Sequence, residues 1–334
     1  MKLKKTYFLL LLLAIAPFVY SQDGIPVYSE YLADNLYILH PSMAGAAAHN
    51  QVRLTARKQW FDQQDAPNLQ TLSFNARLGE QSGVGAILYN DKNGYHSQTG
   101  AYLTYAHHLM FSRSEADLNQ LSFGLSAGVT QSRLDETEFD PLVYDPIIAN
   151  IIQSTSYFNV DAGFSYNFLN FSGHFTVKNV LFQNRNLFSE EYESNNQRRY
   201  IVGAAYAIGQ YGAIWSYEPS VMFQFQERTG EQAFDINFKA YREMDFGKLW
   251  GAISYRRSLD GSEFAEGANV GDQKLQYITP IVGVNYKQFM FAYTYSQQVG
   301  TIKFESGGHH QITIGYDFLG GRPEPYDCNC PAIN

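Results

Sequence analysis

The chain has 334 residues, a formal charge of −8 and only 17% charged residues, with 16% aromatics. Such an aromatic content excludes intrinsic disorder, and the acidic balance argues against a nucleic-acid binder. Mean hydropathy is −0.29 and the one long apolar run sits at the extreme N-terminus, which excludes a helical membrane protein.

Lys2, Lys4 and Lys5 precede an apolar stretch from Tyr7 to Val19, and Val19-Tyr20-Ser21 offers a small-residue cleavage site. That layout predicts a secretory signal peptide over 1–21, too short to be a comfortable transmembrane anchor. Its removal takes away three lysines and no acid, bringing the formal charge from −8 to −11. A lead segment follows at 22–50 and is expected in the periplasm.

From there the sequence alternates with period two. Leu121, Phe123, Leu125, Ala127 and Val129 are interleaved with Ser122, Gly124, Ser126, Gly128 and Thr130. The same alternation runs through 158–168, 234–240 and 310–318. It places one kind of side chain on each face of a strand. We read fourteen strands, near 51–60, 69–78, 83–90, 98–109, 120–132, 157–168, 171–179, 198–208, 213–226, 233–242, 248–257, 277–286, 288–296 and 309–318. Many run to ten residues or more with Tyr or Phe near both ends, as spanning strands with aromatic girdles do. A soluble sandwich uses shorter strands.

The connections alternate between mostly long and mostly short. Those at 61–68, 91–97, 133–156, 180–197, 227–232, 258–276 and 297–308 are mostly long and polar, with 227–232 short for an outer loop. Those at 79–82, 169–170, 209–212, 243–247 and 287 are short, with 110–119 an exception. This is the asymmetry of an up-and-down outer-membrane barrel, with extracellular loops, periplasmic turns and both termini inside. The expected fold is therefore an all-β transmembrane antiparallel barrel over 51–318, with a periplasmic tail at 319–334.

Chemistry-bearing motifs are few. His107-His108 and His309-His310 sit in strands, where neighbouring rings point to opposite faces and cannot share one metal ion. Cys328 and Cys330 lie in the tail, so they do not staple the core. There is no nucleophile elbow, P-loop, dinucleotide fingerprint or zinc-protease motif, and no cofactor or enzymatic activity is expected. Acidic clusters at Asp135, Glu136, Glu138, Asp140 and Asp145, and at Glu190, Glu191 and Glu193, read as solvated loop tips lacking calcium-loop spacing. Arg198-Arg199 and Arg256-Arg257 bound strands, where basic residues meet lipid headgroups or line a lumen. Thr71, Ser73, Asn75 and Arg77, with Asn159, Asp161 and Ser165, give a polar lumen that is either wet or plugged.

The lead carries Pro26-Val27-Tyr28-Ser29-Glu30-Tyr31, then Leu39-His40-Pro41-Ser42-Met43-Ala44-Gly45, then Arg57-Lys58-Gln59-Trp60. Gly308-His309-His310-Gln311-Ile312 stands at the start of the last strand. Together these motifs resemble PorP/SprF-type outer-membrane proteins of the type IX secretion system. That family usually has a Tyr-rich start, Asn-Pro-Ala-Tyr-Ala-Gly, Arg-x-Gln-Trp and a late Gly-Ser-His-Glu-Ile. Here His40 stands in place of Asn, Ser42 and Met43 in place of Ala and Tyr, and Gln311 in place of Glu.

The resemblance implies an integral outer-membrane component that works with the translocon and its periplasmic ring. It would bind secreted cargo, such as a gliding adhesin or its C-terminal domain, for secretion or surface anchoring. Tyr28, Tyr31, His40, Pro41, Gly45, Arg57 and Trp60 are the residues it marks for partner docking. Pro41 and Gly45 also suit a turn that seats the lead under the barrel. A passive or substrate-specific porin is the competing reading, separated by whether the lumen conducts.

Overall fold

The structure is a computed structural model describing residues 28–59, 66–112, 118–137, 150–181, 198–209, 212–266, 269–300 and 308–319, with the side chains of 262–273 excepted. Its strands are β1 (Asn50–Gln59), β2 (Asn68–Leu78), β3 (Ser82–Asn93), β4 (His96–Met110), β5 (Asn119–Asp135), β6 (Ile152–Phe168) and β7 (Phe171–Lys178). They continue as β8 (Arg199–Tyr206), β9 (Trp215–Gln226), β10 (Gln232–Met244), β11 (Gly247–Glu266), β12 (Asn269–Tyr286), β13 (Phe289–Val299) and β14 (Gly308–Phe318). Each pairs antiparallel with its sequence neighbours, and β1 pairs with β14 from Asn50↔Phe318 to Gln59↔His309, closing the barrel.

The two faces are inverted relative to a soluble protein. Leu54, Phe123, Leu125, Ile236, Phe238, Ile312 and Ile314 are exposed on the outside, while Thr55, Ser73, Ser122, Ser126, Asn237 and Thr313 are buried inside. Apolar surface outside and polar surface within is the arrangement hydrocarbon demands of a barrel wall. Stacked rings collect near the end that carries the short turns, among them Tyr166–Phe168, Trp215–Tyr217, Phe289–Phe291 and Tyr316–Phe318. Such rings suit the boundary between hydrocarbon and headgroups.

Two hairpins outgrow the sequence expectation. β3 and β4 continue through 91–97 to a turn at Gly94-Tyr95, and β11 and β12 continue through 258–276, with a register shift between Arg257 and Gly261. Both stretches rise above the apolar band, and their many polar residues read as loop. The wall is consequently uneven at the loop end. β5 and β6 have 17 residues each, β11 has 20 and β12 has 18, but β7 and β8 have 8.

The lead does not hang below the barrel. Its described residues, 28–49, fill the lumen and descend from the loop end at Tyr28 to the turn end at Asn50, where β1 begins. Three short 3-10 turns, Glu30–Ala33, Leu36–Ile38 and Pro41–Met43, compact the segment. Tyr31, Leu32, Ala33, Ile38 and Leu39 pack against Ile201, Met222, Tyr241, Trp250, Ile281, Met290 and Ala292 from β8–β13. The correction has a simple cause. A segment with this many apolar side chains buries them against the apolar patch of an otherwise polar lumen rather than leaving them in water.

Candidate functional site: a plugged lumen with a loop-end vestibule

Polar contacts seat the plug strand by strand. Asn35 Nδ2 donates to Ser73 Oγ at 3.1 Å, and Tyr37 and Thr104 share a hydrogen bond at 2.7 Å. Ser42 and Ser165 hydroxyls meet at 2.6 Å, and the Gly45 N–H donates to Asn75 Oδ1 at 3.2 Å. Charged groups hold the upper and central plug. Arg256 grips Asp235 bidentately at 2.5 and 2.7 Å, and Tyr31 Oη donates to the same carboxylate at 2.9 Å. Asp34 receives Lys239 Nζ at 2.5 Å. Buried charges are tolerable only when paired in this way.

Backbone contacts are equally close lower down. At Gly124 of β5 a side chain would strike the Pro41 carbonyl, so only a glycine there lets the turn at Pro41–Met43 lie on the wall. Gly45 has φ +64°, and a Cβ on it would lie 2.6 Å from the Ala76 oxygen. Its conformation and its space both call for glycine.

The predicted residues thus fall into two groups. Tyr31, His40 and Pro41 are buried in the plug–wall contact. His40 Nδ1 pairs with Thr176 Oγ1 at 2.9 Å, and its ring stacks on His174 at 4.8 Å between centroids. Burial first, then the neighbouring His174 and Lys178, hold the His40 imidazole well below its usual pKa, so it is neutral. Tyr28 accepts from Arg199 Nη1 at 2.9 Å near the loop-end rim. Trp60 lies outside the described residues, as do Glu138, Asp140, Asp145, Glu190, Glu191, Glu193, Cys328 and Cys330.

Arg57 belongs to the second group. The β1–β14 register sets Arg57 opposite Gln311, Lys58 opposite His310 and Gln59 opposite His309. Two motifs some 250 residues apart in the chain therefore become one site. Ser29 joins it, donating to Gln311 Oε1 at 2.8 Å. Above them lies a cavity of about 100 Å³ lined by Arg57, Gln59, Asn68, Asp91, Tyr277 and His309. Sequence reasoning singled out Arg57 and His309 but missed Asp91 and Tyr277, which only barrel closure brings there. A second cavity of about 90 Å³ lies beside the plug near His40, His174, Glu218, Asn237 and Lys239. His174 Nε2 and Asn237 Oδ1 on its wall have no protein partner, and the space accommodates a few waters to satisfy them.

Comparison with known proteins matches residues 21–316 to the family described as type IX secretion system membrane protein PorP/SprF. No curated protein matches by sequence. Among solved structures, the CymD monoaromatic hydrocarbon channel aligns with TM-score 0.50 and 9% identity over 85% of this chain and 92% of its own. The P. putida toluene transporter TodX aligns with TM-score 0.42 and 9% identity over 83% and 94%. At such identity the first likeness speaks for the barrel fold alone.

Proposed function

The chain belongs to the PorP/SprF family of type IX secretion system membrane proteins, and from that premise we propose that it is a non-conducting receptor in the outer membrane. It binds secreted cargo, such as an adhesin or its C-terminal domain, on the loop side. On the periplasmic side it docks on the translocon and the periplasmic ring. The chain reaches this place after cleavage of its signal peptide at 1–21, and outer-membrane lipid surrounds its apolar band.

The observation that carries the reading is the filled lumen. A porin keeps an aqueous path, whereas here residues 28–49 are bonded to β2, β4, β6, β7, β10 and β14. The tall walls of β5–β6 and β11–β12 add support by framing a cup above the plug, suited to a folded partner. The machinery then meets the turns and the tail 319–334. The buried motif residues Tyr31, His40, Pro41 and Gly45 serve docking indirectly, by fixing the plug. Tyr28 and Arg57 stand toward the cup.

The test combines pull-down and conductance. Tagged protein extracted from the native membrane in mild detergent should bring down a secreted protein or type IX subunits, and in planar bilayers it should not conduct. Trimming 133–156 and 180–197 in a correctly inserted protein should release the cargo and leave the machinery bound. Retention of cargo by the trimmed protein, or steady conductance by the intact one, would sink the receptor reading.

A further inference from the structure

The lower plug does not fill the lumen evenly. From His40 to Gly45 it is bonded to β7, β6, β4 and β2 in turn, and on its other side lies the cavity of about 90 Å³. Small residues make that room. Gly203 and Ala205 of β8 and Ser220 of β9 face the lumen there, and a Cβ on Gly203 would meet nothing closer than 3.8 Å. The cavity reaches from His174 and Asn237 in mid-lumen to Gln51, Asn285 and Asp317, each one residue from the turn-end limit of its strand. It is a groove that runs down to the periplasmic turns.

Its lining carries an unbalanced carboxylate. Asp34, Glu218 and Asp317 stand against Arg53 and Lys239, three acids to two bases. Arg53 and Asp317 pair at 2.6 Å. Lys239 Nζ is turned to Asp34 at 2.5 Å and to the Tyr241 hydroxyl at 3.1 Å. Glu218 lies directly across from Lys239, and among the described residues its one hydrogen bond comes from Tyr241 Oη at 3.1 Å. Asp34 and Glu218 therefore share a single ammonium. One strand over, Asn237 is 2% exposed, and its Nδ2 donates to Tyr31 Oη at 3.0 Å and to Ser220 Oγ at 3.2 Å. Tyr31 gives its own proton to Asp235, so the amide orientation is fixed. Asn237 Oδ1 is left as a buried acceptor with no protein partner on the groove wall.

We infer that this groove receives a lysine side chain of a periplasmic partner, with its ammonium held by Glu218 and Asn237 Oδ1 beside the Ser220 hydroxyl. The inference rests on the reading that the machinery docks at the turns, and it names what the docking partner inserts. An ammonium has three donors and no acceptor, which matches an excess carboxylate, an orphan amide oxygen and a hydroxyl on adjacent strands. An arginine fork needs both oxygens of one carboxylate, and Tyr241 already occupies one oxygen of Glu218. Leu36 and Met222 on the groove wall suit the four-carbon stem of a lysine. Glu218 is three residues above the turn-end limit of β9 at Trp215, a depth of roughly 8 Å for a tilted strand. A lysine presented at the turns spans that depth. In its absence water satisfies Asn237 Oδ1.

The test is carbodiimide coupling, which joins a carboxylate to an amine in contact with it, applied to the full-length protein in native outer membranes and read by peptide mass spectrometry. Glu218 should be recovered in an amide bond to a lysine of another polypeptide. Ala205→Leu fills the groove and keeps the carboxylate, so it should reduce that product at least about tenfold. Glu243→Gln, at the turn end and paired with Lys248, should leave it unchanged, and heat-modifiable gel mobility checks that each variant is a folded barrel. Coupling of Glu218 to Lys239 alone, or an undiminished product in Ala205→Leu, would overturn the assignment. Cadaverine coupled to Glu218 in purified protein, with no polypeptide product in membranes, would assign the groove to free amines instead. A polypeptide product that appears only in a chain shortened to Leu319 would give it to the protein's own tail, which carries Arg322 and no lysine. Type IX subunits recovered by pull-down without any Glu218 product would refute the lysine site alone, whereas their absence from the pull-down would refute the docking reading beneath it.

Discussion

Asp235 is the residue on which the upper plug turns. It is buried, gripped bidentately by Arg256, and still accepts the Tyr31 hydroxyl. Removing the carboxylate strands a guanidinium in a dry site, which costs about 3–5 kcal/mol, whereas losing the Tyr31 hydroxyl costs about 1 kcal/mol. Asp235→Ala should therefore destabilise the plug far more than Tyr31→Phe, read as protease access to the lead in otherwise intact barrels. His40 allows a pH test. Its folded pKa is depressed by burial and by the nearby His174 and Lys178, so the unfolded segment binds the extra proton. Its contribution to stability is complete above the unfolded value of about 6.5 and falls as pH drops below it. Lead protection should weaken from pH 7.5 to pH 5, and His40→Asn should flatten that slope while keeping a partner for Thr176. An identical slope in the variant would place the titration elsewhere.

At the scale of elements, all fourteen strands are legible because each must satisfy two solvents at once, lipid outside and polar lumen within. Hydrophobic alternation over 121–130 or 310–318 records that requirement residue by residue. The record stops where the wall leaves the membrane. In 91–97 and 258–276 the outer face meets water, alternation disappears, and strand becomes indistinguishable from loop. The lead is illegible for a different reason. Its apolar residues bury against Ile201, Met222, Trp250 and Ile281, positions that are far away in sequence and that no local periodicity links to it. Only its glycine and proline hint at close packing. Gly124, with the Pro41 carbonyl against it, carries that packing on the barrel side. Gly124→Leu should expel the turn at Pro41–Met43, leaving heat-modifiable mobility intact while the lead becomes protease-sensitive. A lead that stays protected would show that the wall yields instead.

Across the whole molecule, the plug is held unevenly. Toward β8–β13 it buries an apolar cluster that includes Leu39, fully inaccessible, against seven lumenal side chains. Toward β2–β7 it makes single neutral hydrogen bonds at Ser73, Thr104, Ser165 and Thr176 and a smaller apolar cluster of Tyr37, Met43, Ala44 and Ala46 with Ala106. Water can replace a neutral hydrogen bond at a net loss of only about 1 kcal/mol, but it cannot replace apolar contact. Any movement of the plug should therefore hinge on the β8–β13 side and open along β2–β7. Truncating Leu39 to Ala should cost about 2–5 kcal/mol and loosen the whole lead, giving sustained conductance in planar bilayers. Ser42→Ala, which removes the contact with Ser165, should give only brief openings of a barrel that otherwise stays shut. If Ser42→Ala conducts as steadily as Leu39→Ala, the polar side is the true clamp. A plug anchored on one side keeps its seat when the other side is hydrated, so a partner seated in the cup could shift the plug without discharging it from the barrel.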